Sequence, residues 1–277
     1  MRFLRKSPAS QPVGVCLEGV RDALESTRSG QIVLGIGETD GPMMLELDFA
    51  HTLIVGDAGA GTSVLLRSVL GQALAHGAEV VLLDRARRHS WVKGHPDVRQ
   101  VWAVDAIAAE LVGLAEELER RQTIAASEIL SSRRLVLAIE CRAGLAEMLQ
   151  ERWEELRDPG DPIAAPAVAA LAELEWASPM LGIHLVSTTH AGARVPAAAR
   201  EAYGVRIVSG RVGTQAWPMF TGGLSRPLAA QSRQPGRFWV VSGATTAPLI
   251  ALHLTELEAQ HLPAALLLAS AGKWGAA

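Results

Sequence analysis

The clearest chemistry in the chain lies in eight consecutive residues, Gly56-Asp57-Ala58-Gly59-Ala60-Gly61-Thr62-Ser63. Glycines at this spacing let successive backbone N–H groups curl around one anion, and a hydroxyl at Ser63 is a suitable Mg²⁺ ligand beside a triphosphate. The pattern is that of a phosphate-binding loop, G-x-x-x-x-G-K-[ST], with one departure. Thr62 occupies the lysine position, so the loop carries no positive charge toward the β- and γ-phosphates. Lys6, Lys93 and Lys273 are the only lysines, and none lies beside the loop. Asp57 would repel phosphate if it turned inward, so its carboxylate is expected in solvent. A second chemical group, Glu140, closes an apolar run. It is a candidate base for polarising an attacking water if the site is active, and a helix-capping carboxylate otherwise.

Other residues carry weaker signals. Asp84 is followed by Arg85, Arg87, Arg88 and His89, a cluster that reads either as a nucleotide or subunit interface or as a solvated loop. Arg206 and Arg211 suit phosphate contact in trans, since guanidinium forks match phosphate oxygens, or ordinary surface ion pairs. The eight histidines show no metal-ligand spacing, and no G-x-S-x-G nucleophile motif occurs. Cys141 reads as a small core residue rather than a nucleophile. Seven tryptophans outnumber the other aromatics. Trp91, Trp153, Trp176 and Trp217 stand in charged or loop contexts, as core residues or as part of a partner surface.

These groups need a scaffold, and the hydrophobic pattern supplies one. Residues 53–55 read as a buried strand feeding the loop. Leu65, Leu66, Val69, Leu70, Ala73 and Leu74 follow at helical spacing up to Gly77, a C-cap. Ahead of the loop, a short helix is expected at 17–27 and strands at 31–34 and 43–48, with a turn at 39–42. Beyond it, strands are expected at 79–84, 100–104, 135–140, 182–187, 205–209, 237–242 and 248–254. Helices fit 107–130, 145–157 and 165–177, separated by a break at 158–162. Strands alternating with helices predict an α/β fold with a parallel sheet covered on both faces. The expected organisation is a leader over 1–30, one P-loop domain over 31–260 and a tail over 261–277.

Five segments, in order, resemble the FtsK/SpoIIIE/HerA-type P-loop motor domains. They are Gly41-Pro-Met-Met-Leu-Glu-Leu-Asp48 with the loop and its strand; Val80-Val-Leu-Leu-Asp84; Glu117-Leu-Glu-Arg-Arg121; Leu181-Gly-Ile-His-Leu-Val-Ser-Thr-Thr-His190; and Val205-Arg-Ile207 with Pro235-Gly-Arg-Phe238. The resemblance spans roughly residues 33–255. It implies a RecA-like P-loop NTPase fold, a mostly parallel sheet with helices on both faces, ATP and Mg²⁺ as cofactors, and ring oligomers that drive double-stranded DNA. An EccC-like secretion branch instead recognises protein substrates. Gly56 to Ser63 would cradle the nucleotide, Ser63 would bind Mg²⁺, and Thr189-His190 would stand at the family's Thr-Gln sensor. Against the family's Asp-Glu pair the chain reads Ile139-Glu140, and the arginine after the sensor is Ala191.

Losing the lysine and a metal-site carboxylate together points to a degenerate member with weak or absent nucleotide binding. Such a chain would be an assembly or regulatory module of a DNA- or protein-translocating system, as a homo-oligomer or beside an active homologue. The alternatives are an active double-stranded DNA translocase and a secretion-type module recognising protein substrates. Composition narrows these little. At 277 residues and 49% hydrophobic there is ample core, and a net charge of −3 excludes a global basic field for nucleic acid. No apolar stretch reaches the ~18 residues of a membrane span. Cys16 and Cys141 suggest a reducing cytoplasm.

Overall fold

The computed structural model describes residues 14–37, 41–177, 179–193, 195–227 and 234–262. In chain order these form α1 (Arg21–Ser26), β1 (Gln31–Ile36), β2 (Pro42–Glu46), β3 (Thr52–Val55), α2 (Thr62–Ala75), β4 (Glu79–Leu83), β5 (Val98–Val101), α3 (Val104–Thr123) and α4 (Ala126–Ser131). Then come β6 (Leu135–Ile139), α5 (Leu145–Leu156), α6 (Pro166–Trp176), β7 (Ile183–Thr189), α7 (Ala197–Ala202), β8 (Val205–Ser209), α8 (Trp217–Thr221), β9 (Arg237–Ser242) and β10 (Thr245–Ala251).

One ten-stranded sheet collects every strand, in the order β2-β1-β10-β9-β8-β3-β7-β6-β4-β5. The six strands from β8 to β5 are parallel. The remaining four pair antiparallel. The sheet is therefore α/β and mostly parallel, with an antiparallel wing that the expectation of a parallel sheet did not include. Connection length explains the wing. Only Gly243 and Ala244 separate β9 from β10, too few residues for the crossover that a parallel pair needs.

Residues on alternate sides of the strands build two cores. On one face, Leu65, Leu66, Val69 and Leu70 of α2 pack with Val136 and Ala138 of β6 and with Leu24 of α1. On the other face, Ile107, Leu111, Leu114 and Leu118 of α3 and Leu171 and Leu174 of α6 pack with Leu137 and Ile139 of β6. Because successive strand side chains point to opposite faces, Ile139 and Glu140 cannot look the same way. That parity decides the site.

The helix expected over 107–130 is two helices. The Thr123 hydroxyl donates back to Arg120 O at 2.8 Å, and Ile124 is extended. This local bond competes with helix continuation. It coincides with Arg121 donating to Leu181 O and Arg133 O, which ties the end of α3 to the strands beneath. The strand expected at 100–104 lies at β5, two residues earlier, because α3 already begins at Val104. Among the described residues no helix is long and apolar enough to cross a membrane, and both cysteines are free. Most of the expected tail lies outside the described residues.

At the N-terminal end of β3 and β7, two buried histidines meet edge to face, His51 and His184, with ring centroids 5.7 Å apart. The Leu185 N–H donates to His51 Nδ1 at 3.1 Å, and His184 donates from Nδ1 to Leu47 O at 2.6 Å. Burial pushes His51 down to about 4. Burial, then the neighbouring His51, pushes His184 down to about 3. Both rings are neutral at ordinary pH.

Candidate functional site

The loop sits where three parallel strands end level. Val55 is opposite Thr189 of β7 on one side and Val208 of β8 on the other. The segments that follow these strands must therefore share one edge of the sheet, the edge where α/β folds bind ligands. The Gly56 N–H donates to Thr189 O at 3.0 Å, fixing the loop's first residue. No larger residue fits there: a Cβ on Gly56 would lie 2.9 Å from Ala60 Cβ and Thr62 Cγ2 and 3.1 Å from Ser209 Cβ. Gly59 and Gly61 have φ of +75° and +101°, in the left-handed region that favours glycine.

The Ala60 N–H closes the turn on Asp57 O at 3.0 Å, and Asp57 is exposed. Among the described residues, the N–H groups of Gly59, Gly61, Thr62 and Ser63 meet no acceptor. These free donors and the positive end of the α2 dipole fit an anion such as a nucleotide phosphate. Ala58 is exposed on the loop's crown.

The metal side is built differently from expectation. Ile139 is 1% exposed and belongs to the α3-side core, so it does not face the loop. Glu140, one residue later, does. Its Oε1 accepts the Ser63 hydroxyl at 2.7 Å, and its Oε2 lies 2.9 Å from His89 Nε2. Placing Ile139 at the position of the metal-site aspartate is thus corrected by strand parity: the carboxylate beside Ser63 is Glu140, and the residue after it is Cys141. Cys141 adopts φ +69°, held by its N–H donating to Thr188 Oγ1 at 2.9 Å.

Trp91 sets the direction of the hydrogen bonds through His89. The Trp91 indole N–H donates to His89 Nδ1 at 3.2 Å, so Nδ1 is an acceptor and the proton sits on Nε2, donated to Glu140. Burial alone would raise the Glu140 carboxyl. The donors His89 and Ser63, with Arg88 Nη1 at 3.5 Å, outweigh burial and hold it below its ordinary value. Among the described residues no group of three or more His, Cys, Asp or Glu could hold a metal ion. Ser63 and Glu140, the two groups suited to a Mg²⁺ ion beside the loop, are hydrogen-bonded to each other.

The role of His89 was missed by sequence reasoning, because it follows from strand pairing. Leu83 of β4 is paired with Ile139 of β6, so residues just past both strands must meet. Asp84 is buried and organises that turn: its Oδ2 accepts the His89 N–H at 2.9 Å and Gln100 Nε2 at 3.1 Å. Asp84 is therefore buried rather than in a solvated loop. Arg85, Arg87 and Arg88 are exposed, and Arg87 stacks over Trp102 at 4.4 Å.

The other candidates divide. Thr189 is buried beneath the loop through its carbonyl, while His190 is exposed just past β7. Arg206 lies within β8 opposite Leu53, donating to Tyr203 O and Phe220 O; it is not brought to the loop. Arg211 is. Its Nη1 donates to Ala58 O at a long 3.4 Å, so it reaches the loop from within the same chain. Behind Cys141, Arg142 makes a buried two-pronged ion pair with Glu175 at 2.6 and 3.1 Å. Tyr203 OH donates to the same carboxylate at 3.0 Å and lies 2.8 Å from Ser187 Oγ. This network fastens the turn after Glu140 to α6 and β7.

A phosphate loop between β3 and α2, at the C-terminal edge of a parallel sheet with an antiparallel wing, defines a RecA-like P-loop α/β domain. By sequence alone no family model and no curated protein matches the chain. In structure it is similar to the pCW3 conjugation coupling protein TcpA in its monomer form with ATPγS, at TM-score 0.64 and 19% identity, over 90% of this chain and 73% of that one. It is likewise similar to Thermomonospora curvata EccC (ATPases 2 and 3) in complex with a signal sequence peptide, at TM-score 0.65 and 16% identity, over 91% of this chain and 46% of that one. Geobacillus thermodenitrificans EssC (ATPases 2 and 3) matches at TM-score 0.67 and 14% identity, over 87% and 50%. The chain thus spans about half the length of these EccC and EssC chains, each of which holds two ATPase domains. The neighbours are the P-loop domains that the sequence resemblance points to.

Proposed function

We propose that the chain is a degenerate P-loop module of a DNA- or protein-translocating system, one that can hold nucleotide phosphate weakly but does not hydrolyse it. Its role would be assembly or regulation, as a homo-oligomer or beside an active homologue. The carrying observation is the state of Glu140. The one carboxylate beside Ser63 is committed to Ser63, His89 and Arg88, and the next position, where an attacking water would be polarised, is Cys141. Thr62 adds no charge. Phosphoryl transfer depends almost wholly on positioning and charge stabilisation, so a site lacking the lysine and one carboxylate keeps the cradle and loses the reaction.

The test is ATP turnover with and without duplex DNA, alongside calorimetric nucleotide titration with and without Mg²⁺. No steady-state turnover above background is expected. A DNA-stimulated rate abolished by Glu140→Gln would refute the reading and establish an active translocase. Any DNA binding should be weak, sequence-independent and lost as salt rises, because only local arginines can neutralise phosphates on a chain of net charge −3. A secretion-type recognition module gains support from the peptide-bound EccC neighbour; specific binding of a secreted protein's signal segment without nucleotide would favour it.

A further inference from the structure

We infer that Arg211 supplies, from within the same chain, the positive charge that Thr62 cannot, so that the loop's ligand is the β- and γ-phosphates of a nucleoside triphosphate. This rests on the proposed phosphate binding at the loop and names the residue that makes it possible. β8 runs parallel to β3 with Val208 level with Val55, so the turn after β8 is delivered to the flank of the phosphate loop. That turn is held firmly. The Gly210 N–H donates to Arg237 O at 3.0 Å, Arg226 Nη2 donates to Gly210 O at 2.7 Å, and the Arg211 N–H donates to Ser209 Oγ at 3.2 Å. Ser209 also backs directly onto Gly56: a Cβ at Gly56 would lie 3.1 Å from Ser209 Cβ.

The side chain then extends over the crown of the loop. Nη1 sits 3.4 Å from Ala58 O, and 3.2 Å from where a Cβ on Gly59 would stand. The bare Cα of Gly59 is what allows the guanidinium so close. Its bond to Ala58 O is long and made to a neutral acceptor, weaker than a charge-assisted bond to phosphate would be. A guanidinium brings several donors in a fixed plane, where lysine brings a point charge. The unmet N–H groups of Gly59, Gly61, Thr62 and Ser63 belong to the same loop that this guanidinium reaches.

A double-mutant cycle tests this, reading the affinity of the intact chain for a non-hydrolysable ATP analogue and for AMP. Arg211→Gln should weaken the triphosphate about tenfold or more, the loss of one charge-assisted contact, and leave AMP unchanged. Arg211→Lys should retain part of the affinity. Thr62→Lys should restore binding in the Arg211→Gln background and raise it less in the unaltered chain, because the two cations serve the same phosphates. If Arg211→Gln binds the triphosphate as well as the unaltered chain does, the assignment of Arg211 is overturned while the loop remains a phosphate site. Binding that appears only with Thr62→Lys also overturns it. If neither the unaltered chain nor Thr62→Lys binds, the loop is no cradle, and the reading beneath the inference fails with it.

Discussion

Replacing Ile139 with aspartate is the repair that residue-by-residue comparison with an active motor invites, since it would restore an Asp-Glu pair at 139 and 140. The structure predicts that it unfolds the protein instead. Ile139 is 1% exposed, in a core shared with Leu83, Ile107 and Leu145. Removing a buried isoleucine forfeits roughly 1.5–3 kcal/mol of burial. A carboxyl left there without a partner adds roughly 2–7 kcal/mol even after it takes up a proton. The combined loss is comparable to the ~5–15 kcal/mol that holds a typical domain folded. Urea unfolding followed by far-UV circular dichroism measures it, with Ile139→Val as a size control that should cost only about 1 kcal/mol. An Ile139→Asp chain that folds with stability near the unaltered protein and gains Mg²⁺-dependent nucleotide affinity would refute the strand parity on which the site is built.

Two further outcomes follow from the same buried groups. Arg142→Met should cost roughly 3–5 kcal/mol by leaving Glu175 buried and unpaired. Adding Glu175→Leu should recover much of it, and additive losses in the unfolding cycle would mean that the pair is not coupled. His51 and His184 have folded values far below the usual 6.5. The unfolded chain therefore binds more protons between those values and 6.5. Stability is full above that window and falls as pH drops through it, by about 2 kcal/mol per histidine at pH 5. His51→Asn, which keeps an acceptor for Leu185 N–H, should flatten the pH slope by one group; an unchanged slope would contradict the neutral-pair assignment.

The sequence by itself determined the α/β class, the phosphate loop and its departure at Thr62. These depend on local patterns: glycines where the backbone needs positive φ, apolar strands, and helical spacing in α2. The antiparallel wing was not read: the strands expected at 237–242 and 248–254 were placed in a parallel sheet, although so short a connection permits only an antiparallel pair. The orientation of Glu140 was not legible. A run of five apolar residues ending in a carboxylate looks the same whichever face the carboxylate takes, and only packing of Ile139 against α3 settles it. His89, Trp91 and Asp84 lie about fifty residues from Glu140, and their meeting follows from β4 lying beside β6, which no local pattern encodes. Arg211 reads from sequence, with Arg206, as a candidate phosphate contact in trans rather than within its own chain. Its place on the loop exists because β8 pairs with β3, and strand order is decided by the burial of whole faces rather than by any segment alone.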